Sequence, residues 1–145
     1  MRKKRVWRYY CEYCGKGGCS AGAMSKHEKH CTMNPNRECR MCEIMGEAQP
    51  DMSKLLAMLP TGESFKKEDG FGSYSYPGLD GAVNEIMPTL LEITNNCPMC
   101  IFSILRQRGL LPMYQGFNLN EELKKFWAEI NDREDQETVN DALYG

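Results

Sequence analysis

The chain has 145 residues, of which 41% are hydrophobic and 26% charged, and its net charge is −2. This length fits one ordinary domain or two very small ones, and a chain of this size commonly relies on bound metals where its core is thin. No segment approaches the run of about 20 apolar residues that a membrane-spanning helix needs, so the composition argues against a membrane protein.

The charge is unevenly distributed along the chain. Residues 1–45 carry ten Lys and Arg against four Asp and Glu, whereas residues 46–145 carry eight against sixteen. A basic N-terminal part on an acidic body predicts an anionic partner for the basic part. The partner class is either nucleic acid or an acidic protein surface.

Whether the eight cysteines indicate disulfides or metal binding depends on the compartment in which the protein resides. The basic start Met1–Arg5 is followed by Val6–Tyr10 and not by the apolar run of a signal peptide, so we expect a cytoplasmic protein. In a reducing compartment, Cys-x-x-Cys pairs with histidines nearby indicate metal binding. In a secreted chain the same count would indicate four disulfides.

Residues 1–10 form a basic, aromatic arm. It combines cations with the aromatic residues Trp7, Tyr9 and Tyr10, a mixture that suits phosphates and unpaired bases. The alternative is a solvated, disordered terminus. The basic residues of the arm are Arg2, Lys3, Lys4, Arg5 and Arg8.

Residues 11–38 contain the first candidate metal site. Cys11-x-x-Cys14 is followed by twelve residues, then His27, three more residues and Cys31. Zinc takes four sulfur or nitrogen ligands in a tetrahedron, and a two-residue gap lets one tight turn direct both thiolates inward. His27 and Cys31 have the i, i+4 spacing that places both on one face of a helix.

The segment Tyr9–Cys31 resembles the ββα zinc finger in its Cys-Cys-His-Cys variant. Tyr9 stands where the family has an aromatic residue, and Met24 stands where it has an apolar one. Gly18 departs from the pattern, because the family places a core Phe there, so we expect a thin core and a short hairpin. The resemblance implies that zinc is held by Cys11, Cys14, His27 and Cys31. Cys19 and His30 are not part of this ligand set. We expect Cys19 to be a small buried residue or a free thiol, and His30 to be exposed and titrating.

The same resemblance bears on nucleic-acid recognition. The positions that read bases in such a finger correspond to Ser20, Ala23 and Lys26, which offer little hydrogen bonding, and one finger covers only about 3 bp. We therefore expect binding with little sequence specificity. Further cations that contribute to the basic surface are Lys26, Lys29, Arg37 and Arg40.

A second candidate metal site combines Cys39-x-x-Cys42 with Cys97-x-x-Cys100. Asn95 and Asn96 are suitable caps before a helix that begins at Pro98, and a helix N-terminus favours thiolates. A knuckle paired with such a helix partly resembles a treble-clef zinc site, although 54 residues separate the halves. Rubredoxin-like iron, a thioredoxin-type redox dithiol and inert buried cysteines are the alternatives. The turn sequence Asn34-Pro35-Asn36-Arg37 connects the two sites.

Residues 39–131 read as a helical body that carries the second zinc site. The predicted helices cover Met52–Met58, a stretch from Leu79 that breaks or kinks at Pro88, Pro98–Arg108 and Asn120–Asn131. Asp69-Gly70 is a turn for a small hairpin. Residues 132–145 read as a loose acidic tail. The apolar face of the second helix comprises Leu79, Val83, Ile86, Met87, Leu90 and Leu91.

These patterns predict a mainly α chain with small β content, in which an N-terminal zinc finger packs on a helical body. Two zinc ions are expected as cofactors, in sites with four protein ligands each and hence without the open position of catalytic zinc, so we expect no enzyme. The combined cysteine and histidine pattern is similar to poorly characterised phage and prophage zinc-finger proteins. We expect an accessory protein that associates with nucleic acid, or alternatively an adaptor that binds another protein through the helical body.

Overall fold

The computed structural model describes the backbone of residues 1–144 and the side chains of residues 1–132. The described part is mainly α-helical with two small antiparallel hairpins, as predicted. None of its helices is long and apolar enough to span a bilayer. In chain order the elements are β1 (Tyr9–Tyr10), β2 (Gly17–Gly18), α1 (Ala21–His30), α2 (Arg40–Met45), α3 (Met52–Met58), a 3-10 turn (Gly62–Phe65), β3 (Lys67–Glu68), β4 (Tyr74–Ser75), α4 (Leu79–Ile93), α5 (Pro98–Gln107) and α6 (Leu119–Tyr144).

The N-terminal part is a ββα unit. β1 pairs with β2, so that Tyr9 lies opposite Gly18, and the Ser20 hydroxyl caps α1 by accepting a hydrogen bond from the Ala23 N–H at 3.2 Å. Met24 is the buried residue of α1. A Cβ at Gly18 would lie 3.6 Å from the Met24 methyl group, so the missing side chain leaves the small core that the sequence predicts.

The main core lies in the helical body, where α3, α4 and α5 meet. Leu55, Val83, Leu90, Ile101 and Leu105 have no exposed surface there. Burial of one such side chain contributes about 1.5–3 kcal/mol, so this cluster is the principal source of hydrophobic stability. The predicted apolar face of α4 is confirmed in this core.

Of the two possibilities predicted at Pro88, the break is wrong, because α4 continues as one helix through this residue. Pro88 and Asn84 both lie on the exposed side, where water can satisfy the carbonyl that Pro88 leaves unpaired. Asn95 and Asn96 do not cap α5. They adopt left-handed φ values of 53° and 61° and end α4, with the Asn96 N–H donating to the Leu91 carbonyl at 2.9 Å.

The hairpin predicted around Asp69-Gly70 is confirmed, and its first strand, Lys67–Glu68, follows the 3-10 turn. The last helix does not end at Asn131 and continues to Tyr144, so the predicted loose tail is helical as far as that residue. Gly145 lies outside the described residues.

The ββα unit is hydrogen-bonded to the end of α5. Arg106 donates from Nη1 to the Thr32 hydroxyl at 2.6 Å, and Gln107 donates from Nε2 to the carbonyls of Thr32 and Asn34 at 2.8 and 3.1 Å. These contacts attach the unit to the helical body, as expected. They also place Arg106 beside α1.

Close backbone packing at Gly62 gives a test of the fold. A Cβ at Gly62 would lie 2.6 Å from the Gly109 carbonyl oxygen, so Gly62→Ala forces backbone displacement and should destabilise the protein by about 1–3 kcal/mol. Gly81 in α4 faces open space, so Gly81→Ala should be neutral or stabilise the helix by up to about 1 kcal/mol. Thermal unfolding of the metal-loaded variants measures the difference. Equal stabilities would contradict the close packing.

Candidate metal centre

The first candidate site gathers Cys11, Cys14, His27 and Cys31. Their ligand atoms all lie within 4.8 Å of one another, and His27 Nε2 is 3.2 Å from Cys14 Sγ. The two thiols come from a tight turn between β1 and β2, in which the Gly15 N–H donates to the Cys11 carbonyl at 2.9 Å. Gly15 has a φ of +76°, a conformation in which glycine is favoured.

The other two side chains of this site come from the end of α1. His27 lies in its last turn and Cys31 is the residue at which the helix ends. The i, i+4 spacing thus directs both toward the turn, as the sequence predicts. Cys11 and Cys31 are buried, whereas Cys14 and His27 are half-buried.

The second candidate site gathers Cys39, Cys42, Cys97 and Cys100, again with all sulfur atoms within 4.8 Å of one another. Each pair opens a helix: Cys39 directly precedes α2, and Cys97 directly precedes α5. The Cys39-x-x-Cys42 turn, in which the Cys39 Sγ accepts a hydrogen bond from the Cys42 N–H at 3.5 Å, opens a six-residue helix. The pairs meet with Sγ–Sγ distances of 3.5 Å for Cys39–Cys97 and 3.5 Å for Cys42–Cys100.

These distances suit a metal better than a disulfide. The two sulfurs of a disulfide are about 2.05 Å apart. Four thiolates at the usual Zn–S distance of about 2.3 Å form a tetrahedron whose edges are about 3.8 Å. All four cysteines are free and at most 5% exposed, so the cluster fits an enclosed ion with four sulfur ligands.

The four thiols of this group shift one another's pKa values in opposite directions. A hydrogen bond from Cys100 holds the pKa of the Cys39 thiol below its usual value, and the same contact raises the pKa of Cys100. The pKa of Cys97 is likewise lowered, chiefly by a hydrogen bond with Cys100. Hydrogen bonding with Cys100 lowers the pKa of Cys42, but hydrogen bonds with Cys39 and Cys97 outweigh it and raise the pKa overall. Two of the four groups are thus held as thiols, and binding of a divalent cation would release their protons.

Opposing effects act on the two buried thiols of the first site. Burial raises the pKa of Cys11, but hydrogen bonds from the backbone of Cys14 and Tyr13 outweigh it and lower the pKa overall. Burial raises the pKa of Cys31. The backbone of the turn therefore supports a thiolate at Cys11.

The segment between the two sites is held by side-chain to backbone hydrogen bonds. Buried Asn34 donates to the Glu28 carbonyl at 2.8 Å and accepts from the Asn36 N–H at 2.9 Å, which forms the predicted turn. The Gln49 side chain donates to the Arg37 carbonyl and accepts from the Cys39 N–H. The two candidate sites are consequently joined by an ordered connection.

Cys19 and His30, which the predicted ligand sets do not include, lie outside both clusters. Cys19 is exposed, so the interpretation as a small buried residue is wrong and that of a free thiol fits. His30 is half-buried rather than exposed, and its Nδ1 lies 2.9 Å from the Glu38 carbonyl oxygen.

The predicted basic residues occupy several environments. Arg2, Lys3, Lys4, Arg5 and Arg8 are exposed on the arm. Lys29 pairs with Glu38 at 3.5 Å, and Arg37 is only 4% exposed, which sets it apart from the surface cations. Lys26 and Arg40 line one cavity of about 360 Å³ together with Arg106. Arg106 was missed because it follows Arg40 by 66 positions, and no local pattern connects them.

Comparison of the chain with protein-family models, with curated proteins and with solved structures gave no match. The geometry of the two clusters is therefore the basis on which the function is inferred.

Substitution of one cysteine in each group tests the two sites separately. The wild-type protein should contain two metal ions, because two separate four-residue groups are present. Cys97→Ser should lose the ion of the four-thiol group alone, and Cys11→Ser should lose the ion of the first site alone. Elemental analysis of purified protein measures the metal content and identifies the metal.

Cys19→Ser is the matched control, since Cys19 is exposed and outside both groups. It should retain both ions. If the metal content of Cys97→Ser equals that of the wild type, the four-thiol group does not bind metal.

Proposed function

We propose that the protein is a non-enzymatic, cytoplasmic zinc protein that associates with nucleic acid with little sequence specificity. Zinc is the metal that best suits the first group, because three thiolates and one imidazole are common ligands of structural zinc. Four thiolates suit zinc or iron, and the elemental analysis distinguishes them.

A structural role for the metals is supported by the completeness of both groups. Each offers four protein ligands, so an ion held by all of them would have no free position for water or substrate. Catalytic zinc requires such a position. The proposed ions would therefore stabilise the fold and not act on a substrate.

Nucleic-acid association rests on the distribution of exposed cations and aromatic rings. Residues 1–10 are all exposed, and Trp7 retains 83% of its surface. The Arg8 guanidinium lies 6.0 Å from the centre of the Tyr10 ring. Together with Lys26, Arg40 and Arg106 around the cavity beside α1, the arm provides positive charge and stacking surfaces on the ββα side of the molecule.

Low sequence specificity is supported by the environment of the base-reading positions. The Ser20 hydroxyl accepts a hydrogen bond from the Ala23 N–H as the cap of α1, so mainly its O–H remains to contact a base. Ala23 has no polar side chain, so Lys26 is the one long polar side chain among the three positions. A single lysine contributes charge but little discrimination between bases.

An adaptor function is the second candidate. Phe71 is 93% exposed and Tyr74 is 53% exposed in the β3–β4 hairpin. Exposed aromatic side chains commonly anchor protein interfaces. This hairpin lies in the acidic part of the sequence, so it would serve a protein partner better than nucleic acid.

Salt dependence tests the proposed function. Binding of zinc-loaded protein to a labelled oligonucleotide should weaken steeply as salt rises, because cations on the protein release counterions from the phosphates. Removal of residues 1–8 should weaken binding by about tenfold or more and reduce the salt dependence. Fluorescence anisotropy at several salt concentrations provides both values.

A variant with Lys66→Glu and Lys67→Glu is the matched control, because these cations lie at the β3–β4 hairpin and far along the chain from the arm. It should bind as the wild type does. Affinity that is unaffected by salt would refute the electrostatic association. Recovery of one stoichiometric protein partner after nuclease treatment, without oligonucleotide binding, would establish the adaptor function instead.

A further inference from the structure

Two adjoining cavities share His30 and Arg40. The first, here called the basic cleft, has a volume of about 360 Å³ and is lined by Lys26, Arg40 and Arg106 beside α1. The second, here called the apolar groove, has a volume of about 340 Å³. Its apolar side chains are Met41 and Ile44 of α2, Met99 of α5 and Trp127 of α6.

The apolar groove exposes side chains that would ordinarily be covered. Ile44 is 51% exposed and Trp127 is 43% exposed. The adjacent Phe126 is only 7% exposed and meets the Trp127 ring edge-on, with the ring centres 5.3 Å apart. Trp127 is thus supported from within the fold while part of its indole faces solvent.

A buried cation also lines the apolar groove. Arg37 is 4% exposed, and its Nη1 has no hydrogen-bond partner in the part of the chain whose side chains are described. Its Nε reaches only the His30 carbonyl, at 3.4 Å. Among the described residues, no carboxylate forms an ion pair with it. A buried donor without a partner favours a ligand that brings an acceptor.

We propose that this surface binds single-stranded nucleic acid, with an unpaired base in the apolar groove against Trp127 and neighbouring phosphates in the basic cleft. A nucleobase has both an apolar face and acceptor atoms, which match the indole and the Arg37 guanidinium. This inference rests on the proposed nucleic-acid association and specifies its substrate as single-stranded. Paired bases of a duplex are stacked in its interior and cannot enter the groove.

An acidic peptide is the competing ligand, because carboxylates would also satisfy the basic cleft. The apolar groove favours the nucleic acid. It presents four apolar side chains beside one buried cation, a combination that fits a planar ring with acceptor edges better than a row of carboxylates.

Tryptophan fluorescence reports directly on the groove. The chain has two tryptophans, so Trp7→Phe leaves Trp127 as the sole indole emitter. In zinc-loaded full-length protein, a short oligothymidine should quench Trp127 emission, and a duplex of equal length should bind more weakly by about tenfold. A stacked base lies against the indole, whereas a duplex contacts only the cations.

Substitutions distinguish the contribution of base stacking to the affinity from the contribution of the cations. Trp127→Ala should weaken binding of labelled oligothymidine by about tenfold and leave duplex binding unchanged, while Trp127→Phe should retain most of the affinity. Lys26→Glu should weaken the binding of both, because it acts on phosphates. Lys54→Glu is its matched control, since Lys54 is an exposed cation on α3 outside both cavities. Unchanged zinc content and circular dichroism establish that each variant is folded.

Three results would overturn the inference. Equal binding of single strand and duplex, together with unchanged Trp127 emission, would show that the apolar groove is not part of the binding surface. The proposed non-specific association with nucleic acid would still hold in that case. Quenching by polyglutamate, with none by oligothymidine, would assign the groove to an acidic peptide. Absence of binding to either nucleic acid would refute the proposed function as well.

Discussion

The contact between the two Cys-x-x-Cys pairs is the constraint on which the arrangement of the chain depends. It joins residues 58 positions apart at Sγ–Sγ distances of 3.5 Å, and the enclosed segment contains α3, both strands of the second hairpin and α4. Buried thiolates repel one another unless a cation neutralises them, so the charge state of this cluster determines whether the loop is closed. The four-thiol group adjoins the start of α5, which continues from there into the hydrophobic core of the helical body.

Helix α5 connects the four-thiol group to the hydrophobic core and to the segment after α1. It begins at Cys97, passes through the core with Ile101 and Leu105, and ends where Arg106 and Gln107 bind the segment after α1. One ten-residue helix thus contributes to the second candidate metal site and the core, and it binds the segment that directly follows the first site. The basic cleft lies beside its last turn and the apolar groove beside its first, and the two cavities adjoin where His30 and Arg40 line both.

The features that could be predicted from the sequence are those encoded by local spacing. Cysteines at i, i+3 and the pair His27 and Cys31 at i, i+4 converge because one turn of chain suffices, and α3 follows from its Asp51 cap and the Pro60 stop. The remaining features of the fold depend on solvent exposure and on contacts between elements, which local spacing does not encode. Continuity of α4 through Pro88 depends on exposure of that side of the helix. The left-handed conformations of Asn95 and Asn96 depend on where α4 ends, because the Asn96 N–H donates to the Leu91 carbonyl. The position of Arg106 beside α1 depends on its tertiary contact with Thr32.

Because the two cysteine pairs of the four-thiol group are 58 positions apart in sequence, the ribosome synthesises one pair well before the other. The first group is complete in sequence at Cys31, whereas Cys39 and Cys42 wait for partners 58 residues later. At about 5–20 residues per second this interval lasts about 3–12 s. During that time the nascent chain presents a dithiol that can be oxidised or can capture a metal without its second half. Production of the native protein therefore depends on how quickly translation supplies Cys97 and Cys100, and slow codons between the two halves would lengthen the vulnerable period.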